Sequence, residues 1–216
     1  MSKNPSSPRP PQNYKNNFFT EYPTISLFHV PPFYPPEVAQ FFFVDTTPFV
    51  LRNWILPSRR HYDWRGVAPR GAYITTLLKD LDSALKQSPA KWKFVVGHHA
   101  IRSVSTHGDT KELVELLLPI LKANDVDLYI NGHDHCLEHI SSKDSPIQFL
   151  TSGGGSKAWR GVYSPKNADK IQFFYDGQGF MSLRVTRDDA EVAFYDVAGA
   201  VLHRWRGAKQ LLHPAI

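Results

Sequence analysis

Asp127-Leu128-Tyr129-Ile130-Asn131-Gly132-His133-Asp134-His135-Cys136 decides how this chain is read. The apolar run Leu128–Ile130 has the length of a buried β-strand, and it stops at a glycine, which permits a sharp turn. Two histidines one residue apart follow at once. In extended backbone, residues i and i+2 point to the same side, so His133 and His135 are placed to converge on one point. Neutral imidazole is a common ligand for borderline metals, and a metal needs its ligands on stiff supports. A strand end is such a support, and in open α/β sheets ligands bind at the carboxyl ends of strands.

The same arrangement occurs upstream in Lys93-Phe94-Val95-Val96-Gly97-His98-His99. One helical pattern lies between the two stretches. Strand, helix and strand make a βαβ crossover, whose right-handed rule brings both strand ends to one edge. His98, His133 and His135 are therefore expected to meet in space. A lone histidine after a strand is usually structural. Two glycine–histidine strand ends across one crossover point instead to a metal site.

The flanking sequence fits an α/β frame. Ala39–Val44 reads as a buried strand. From Gly71 to Gln87, Leu77, Leu78, Leu81 and Leu85 fall at helical spacing, and Ser88-Pro89 stops that helix. Asp109 and Glu112 form a capping-box-like start for a helix over Thr110–Asn124, which Pro119 should kink or split. After His135 come the short β-like runs Ile147–Leu150, Ile171–Tyr175, Met181–Val185, Glu191–Tyr195 and Val201–Trp205, an antiparallel meander. His139 continues the alternation of the two histidines and reads as structural. Gly153-Gly154-Gly155 lacks the lysine spacing of a phosphate loop and reads as a tight turn passing near the site.

Composition bounds the function classes. The 216 residues are 42% hydrophobic and 21% charged, ordinary values for a globular protein with one core. The net charge of +5 and a pI near 9.3 favour anionic ligands such as phosphate esters. The basic residues are scattered, so no nucleic-acid partner is expected. No run approaches a membrane span, and no membrane partner is expected. Cys136 is the only cysteine, so no internal disulfide can form. Residues 1–37 hold nine of the 17 prolines and read as an extended or disordered arm, residues 38–206 as the folded domain, and 207–216 as a tail.

Val95-Val96-Gly97-His98-His99 together with Asn131-Gly132-His133-Asp134-His135 resembles two motifs of the purple acid phosphatases, within the calcineurin-like metallophosphoesterases. Phe42–Phe49, Tyr62–Gly66, Thr151–Trp159 and Phe173–Met181 are also similar to plant members of low molecular mass. The resemblance implies a mixed α/β fold, part of a four-layer sandwich of mixed β-sheets flanked by helices. It implies an acid phosphatase acting on phosphate monoesters through a dinuclear metal centre, Fe(III) paired with Zn, Mn or Fe(II). By that resemblance His135 binds the iron(III), and His98 and His133 bind the divalent ion. His107 meets the substrate phosphate and protonates the leaving oxygen, while His99 and Asp134 orient the ligands. Asp45 falls outside the ligand motifs. The family is typically secreted or vacuolar, but the polar N-terminus has no apolar core like that of a secretory signal.

The resemblance covers only the C-terminal half of that family's domain. The family's other ligands sit in Gly-Asp-x-Gly, Gly-Asp-x-x-Tyr and Gly-Asn-His-Asp/Glu motifs, none of which occurs in this sequence; Gly108-Asp109 continues into Thr110-Lys111-Glu112. A truncated chain with an incomplete ligand set is therefore expected. Two alternatives stay open: an inactive remnant binding at most one metal, and a mononuclear zinc hydrolase using His98, His133 and His135. Without the family's remaining strands, open sheet edges give a route to self-association.

Overall fold

The computed structural model describes residues 25–28, 37–55, 62–142, 145–163 and 168–209. Most of the proline-rich arm and of the C-terminal tail lies outside the described residues. Among the described residues ten strands form two sheets. Four strands run parallel as the core of the larger sheet: β2 (Ala39–Val44), β3 (Trp92–Gly97), β4 (Leu128–Asn131) and β6 (Ser145–Ser152). β5 (Leu137–Ser142) and β7 (Ile171–Tyr175) add on antiparallel beyond β6. β1 (Ile25–Phe28) pairs antiparallel with β2, giving the order β1-β2-β3-β4-β6-β5-β7. The smaller sheet is an antiparallel meander of β8 (Gly179–Val185), β9 (Asp189–Asp196) and β10 (Val201–Ala208).

The two-residue period of the strands builds the layers. Val95, Tyr129 and Phe149 face one way, onto Leu77, Leu81 and Leu85 of α2 (Arg70–Gln87) and onto Leu113, Leu117 and Leu121 of the following helical segment. Their chain neighbours Phe94, Leu128 and Leu150 face the other way, onto Val185, Val192 and Phe194 of the meander. Both faces of the large sheet are covered, as parallel strands require. Among the described residues there are three layers: helices, large sheet, small sheet. A five-residue helix α1 (Leu51–Ile55) follows β2.

Three expectations need correction. The helix over 110–124 is neither simply kinked nor split. It passes through a π turn at Leu113–Leu117 before α3 (Leu118–Ala123), which carries Pro119 in its first turn. Proline has no N–H to give the carbonyl four residues back, and the wider π turn absorbs that lost bond. The run after His135 is not a single meander, because β5, β6 and β7 join the large sheet and only β8–β10 form the small one. Finally, the segment read as an arm does supply a strand: Ile25–Phe28 pairs with Phe41–Val44, so β2 has a neighbour on each edge.

Candidate metal centre

β3 and β4 run side by side in register, Phe94 opposite Leu128 and Val96 opposite Ile130. The chain leaves both at the same edge, through Gly97 and Gly132. Gly97 must be glycine: a Cβ there would stand 2.4 Å from the Tyr129 hydroxyl and 2.7 Å from the Thr46 methyl. The buried Tyr129 hydroxyl donates to the carbonyl of His99 at 2.7 Å, holding the first histidine pair down on the sheet. On β4 the expected pivot was Gly132. The left-handed residue is instead His133, at φ 63°. A non-glycine residue in that region stores strain, a common feature of functional sites.

The result is close approach. His98 Nε2 lies 3.0 Å from His133 Nδ1 across 35 residues of sequence. His98, His99 and His133 offer nitrogens that all fall within 4.8 Å of one another. His99 differs in its chemistry. The Thr46 hydroxyl accepts the backbone N–H groups of His98 at 3.2 Å and His99 at 3.0 Å. Both of its lone pairs are then engaged, so its own hydrogen goes to His99 Nδ1 at 2.9 Å. That nitrogen accepts, and neutral His99 carries its proton on Nε2, the wrong tautomer for a metal ligand at that atom.

His135 does not join this group of three. Its ring stacks on Trp159 at 4.2 Å and 14°, and its Nδ1–H donates to the carbonyl of Lys157 at 3.1 Å. Nε2 is left with the lone pair. His107 sits between the two sides, its ring 4.1 Å from His133 and 5.4 Å from Trp159. Its Nδ1 lies 2.6 Å from Oδ1 of the fully buried Asp134. Partial loss of hydration holds the His98 imidazole below its ordinary value; nearby Asp45 opposes this, while His107 and His135 reinforce it. Asp45 itself is exposed and accepts the Thr47 N–H in its own turn. His139, read as structural, is buried and bonded to Gln148 and His203.

Sequence reasoning missed Thr46, Trp159, Ser103 and Glu138. The first two had no local signal, since their roles depend on partners more than 20 positions away. Glu138 did carry one: a charged residue within a strand segment otherwise headed for the core.

Two of these imidazoles, His98 and His133, present nitrogens that suit one borderline divalent ion such as zinc. Among the described residues no carboxylate joins the group, so two cations held close together are not provided for by these side chains.

A mixed α/β sheet with convergent histidines at its carboxyl edge defines a metallophosphoesterase-type domain. Residues 2–137 match the family model described as Calcineurin-like phosphoesterase, and the chain belongs to that family. It is 61% identical over 175 residues to Purple acid phosphatase 4 of Arabidopsis thaliana, covering 81% of this chain and 52% of that protein. Among solved structures it is similar to GAP50, the anchor in the inner membrane complex of Plasmodium, with TM-score 0.62 and 27% identity over 80% of this chain and 50% of that one. Purple acid phosphatase PPD1 from yellow lupin shares the fold at TM-score 0.57 and 16% identity, over 87% of this chain and 33% of that one. The chain spans about half the length of the curated relatives it matches.

Proposed function

We propose that this chain supplies the histidine side of a metal-dependent phosphate monoesterase of the purple acid type. The observation that carries the reading is the 3.0 Å approach of His98 and His133 at two adjacent strand ends, within a chain of this family. In a complete centre of that type His98 and His133 would hold the divalent ion, zinc, manganese or iron(II), and His135 the iron(III); the described residues alone provide for the divalent ion. When bound, such a centre supplies a nucleophile from water and positive charge against the phosphoryl oxygens. In its doubly protonated form, with Nδ1–H held on Asp134, His107 would hand the Nε2 proton to the leaving oxygen. Trp159 restrains His135 by stacking, and the Lys157 carbonyl keeps the His135 proton on Nδ1.

Zinc calorimetry on the full chain tests this. One equivalent is expected to bind, and His133→Ala to abolish it. Inorganic phosphate is expected to bind the zinc-loaded chain and to weaken with His107→Ala. Zinc uptake that ignores both His98 and His133, or two equivalents held tightly, overturns the assignment. Hydrolysis of an aryl phosphate by the zinc-loaded chain is expected near background, because no carboxylate joins the histidine group among the described residues. The mononuclear alternative, built on His98, His133 and His135, gains if zinc-dependent hydrolysis is seen and His98→Ala removes it.

A further inference from the structure

Behind His107, on the far side of Asp134, lies a set of buried polar side chains. Ser103 and Glu138 are each 1% exposed and Asp134 is fully buried. The Ser103 Oγ stands 2.7 Å from Asp134 Oδ2 and 3.1 Å from Glu138 Oε2, and it accepts the Ser105 N–H at 3.0 Å. Glu138 Oε1 accepts the Val104 N–H at 2.9 Å, and Glu138 Oε2 takes a weak contact from the Cys136 thiol at 3.8 Å. Asp134 Oδ1 faces both the ring Nδ1 of His107 at 2.6 Å and its backbone N–H at 3.3 Å.

The hydrogens can be counted. A serine hydroxyl has one hydrogen and two lone pairs. Two carboxyl groups touch this one hydroxyl, and if both were anions one buried oxygen would face a serine lone pair with no hydrogen between them. Asp134 Oδ1 already accepts the His107 backbone N–H, and the shorter 2.7 Å contact at Oδ2 is the length of a hydroxyl donating to a carboxylate. So the Ser103 hydrogen goes to Asp134. One Ser103 lone pair takes the Ser105 N–H, and the other faces Glu138 Oε2, which must bring its own hydrogen. Every donor in the chain then points toward Asp134. Burial, reinforced by the neighbouring Asp134 charge, pushes the Glu138 carboxyl up to about 8, in agreement with this count.

We propose that Glu138 is a neutral carboxylic acid, and that Glu138 and Ser103 are positioning residues which act through Asp134 to fix the His107 proton on Nδ1. The inference rests on reading His107 as the residue that meets the phosphate. It adds the device that leaves Nε2 as the nitrogen that takes up a proton and later gives it to the leaving oxygen.

The test uses the metal-free full chain and needs neither turnover nor zinc, so it stands or falls separately from the phosphatase reading. In infrared difference spectra at neutral pH, Glu138→Gln is expected to remove a protonated-carboxyl carbonyl band; an unchanged band region overturns the neutral Glu138. In nitrogen NMR of the His107 ring, Glu138→Gln is expected to leave the Nδ1–H pattern in place. Its amide N–H replaces the acid hydrogen toward Ser103, and its carbonyl still accepts from Val104. Ser103→Ala and Glu138→Leu are expected to shift His107 to mixed tautomers. Should Glu138→Leu fail to fold, Ser103→Ala carries the test. A His107 pattern unmoved by Ser103→Ala overturns the positioning role.

Discussion

His98 Nε2 and His133 Nδ1 stand one hydrogen bond apart, 3.0 Å, on neighbouring parallel strands. The His133 side of the contact stands on a left-handed backbone, with φ 63°. An L-residue in that conformation costs about 1 kcal/mol or more relative to glycine. His133→Ala and His133→Gly both remove the ligand, but only the second releases the strain. Urea titration of the two variants is expected to show His133→Gly the more stable by about 1 kcal/mol. Equal midpoints would mean that the left-handed turn carries no cost.

Gly153 packs against the same turn. A Cβ on it would stand 1.8 Å from the carbonyl oxygen of Asp134, which is backbone and cannot swing aside. The Gly153 N–H also bonds the carbonyl of Cys136 at 3.0 Å. Gly153→Ala is expected to cost about 1–3 kcal/mol, as overpacking does. It is also expected to weaken zinc binding by moving residues 133–135. Gly155→Ala, where a Cβ would meet nothing within 4 Å, is the control expected to leave both unchanged.

His139 sets an acid limit on stability. It is buried between β6 and β10, bonded through Nε2 to Gln148 at 2.8 Å and through Nδ1 to His203 at 3.0 Å. Burial pushes its imidazole from 6.5 down to about 4. The unfolded chain therefore takes up a proton between those values that the folded chain refuses. Stability is full above the upper value and declines as pH falls toward the lower one, by about 3 kcal/mol at most. Melting temperatures measured across that window should fall steeply in the native chain and less in His139→Gln. Parallel slopes would place the acid sensitivity elsewhere.

The pairing of Ile25–Phe28 with β2 predicts a change in association. Removing residues 1–34 strips the partner from Phe41–Val44 and exposes a row of backbone donors and acceptors. Size-exclusion chromatography is expected to show the shortened chain self-associating and the 216-residue chain less so. Identical elution would show that the edge is protected by other means.

The strands and helices were legible where one residue's neighbours in sequence are also its reason. The leucine stripe of α2 and the apolar runs of β2, β3 and β4 gave their elements from local pattern alone. β5 did not, because Glu138 and His139 look like loop residues until Ser103 and Gln148 are brought against them from other elements. The histidine convergence followed from strand-end logic. The sorting within it did not: His99 is turned by Thr46, 53 positions away, and His135 is drawn aside by Trp159. Such long-range hydrogen bonds leave no periodic trace in a sequence.

Because His98 and His133 hang from adjacent parallel strands, their separation is inherited from the spacing of the sheet itself, about 4.8 Å between chains. That length is common to every β-sheet and owes nothing to the connection between the strands. The part of the crossover beyond His98 can therefore be lengthened or trimmed over generations with the ligand pair left at its working distance. A strand slipped between β3 and β4 would double the spacing at a stroke. Tolerance to drift in the length of the connection and intolerance to reordering across the sheet are thus two sides of one arrangement.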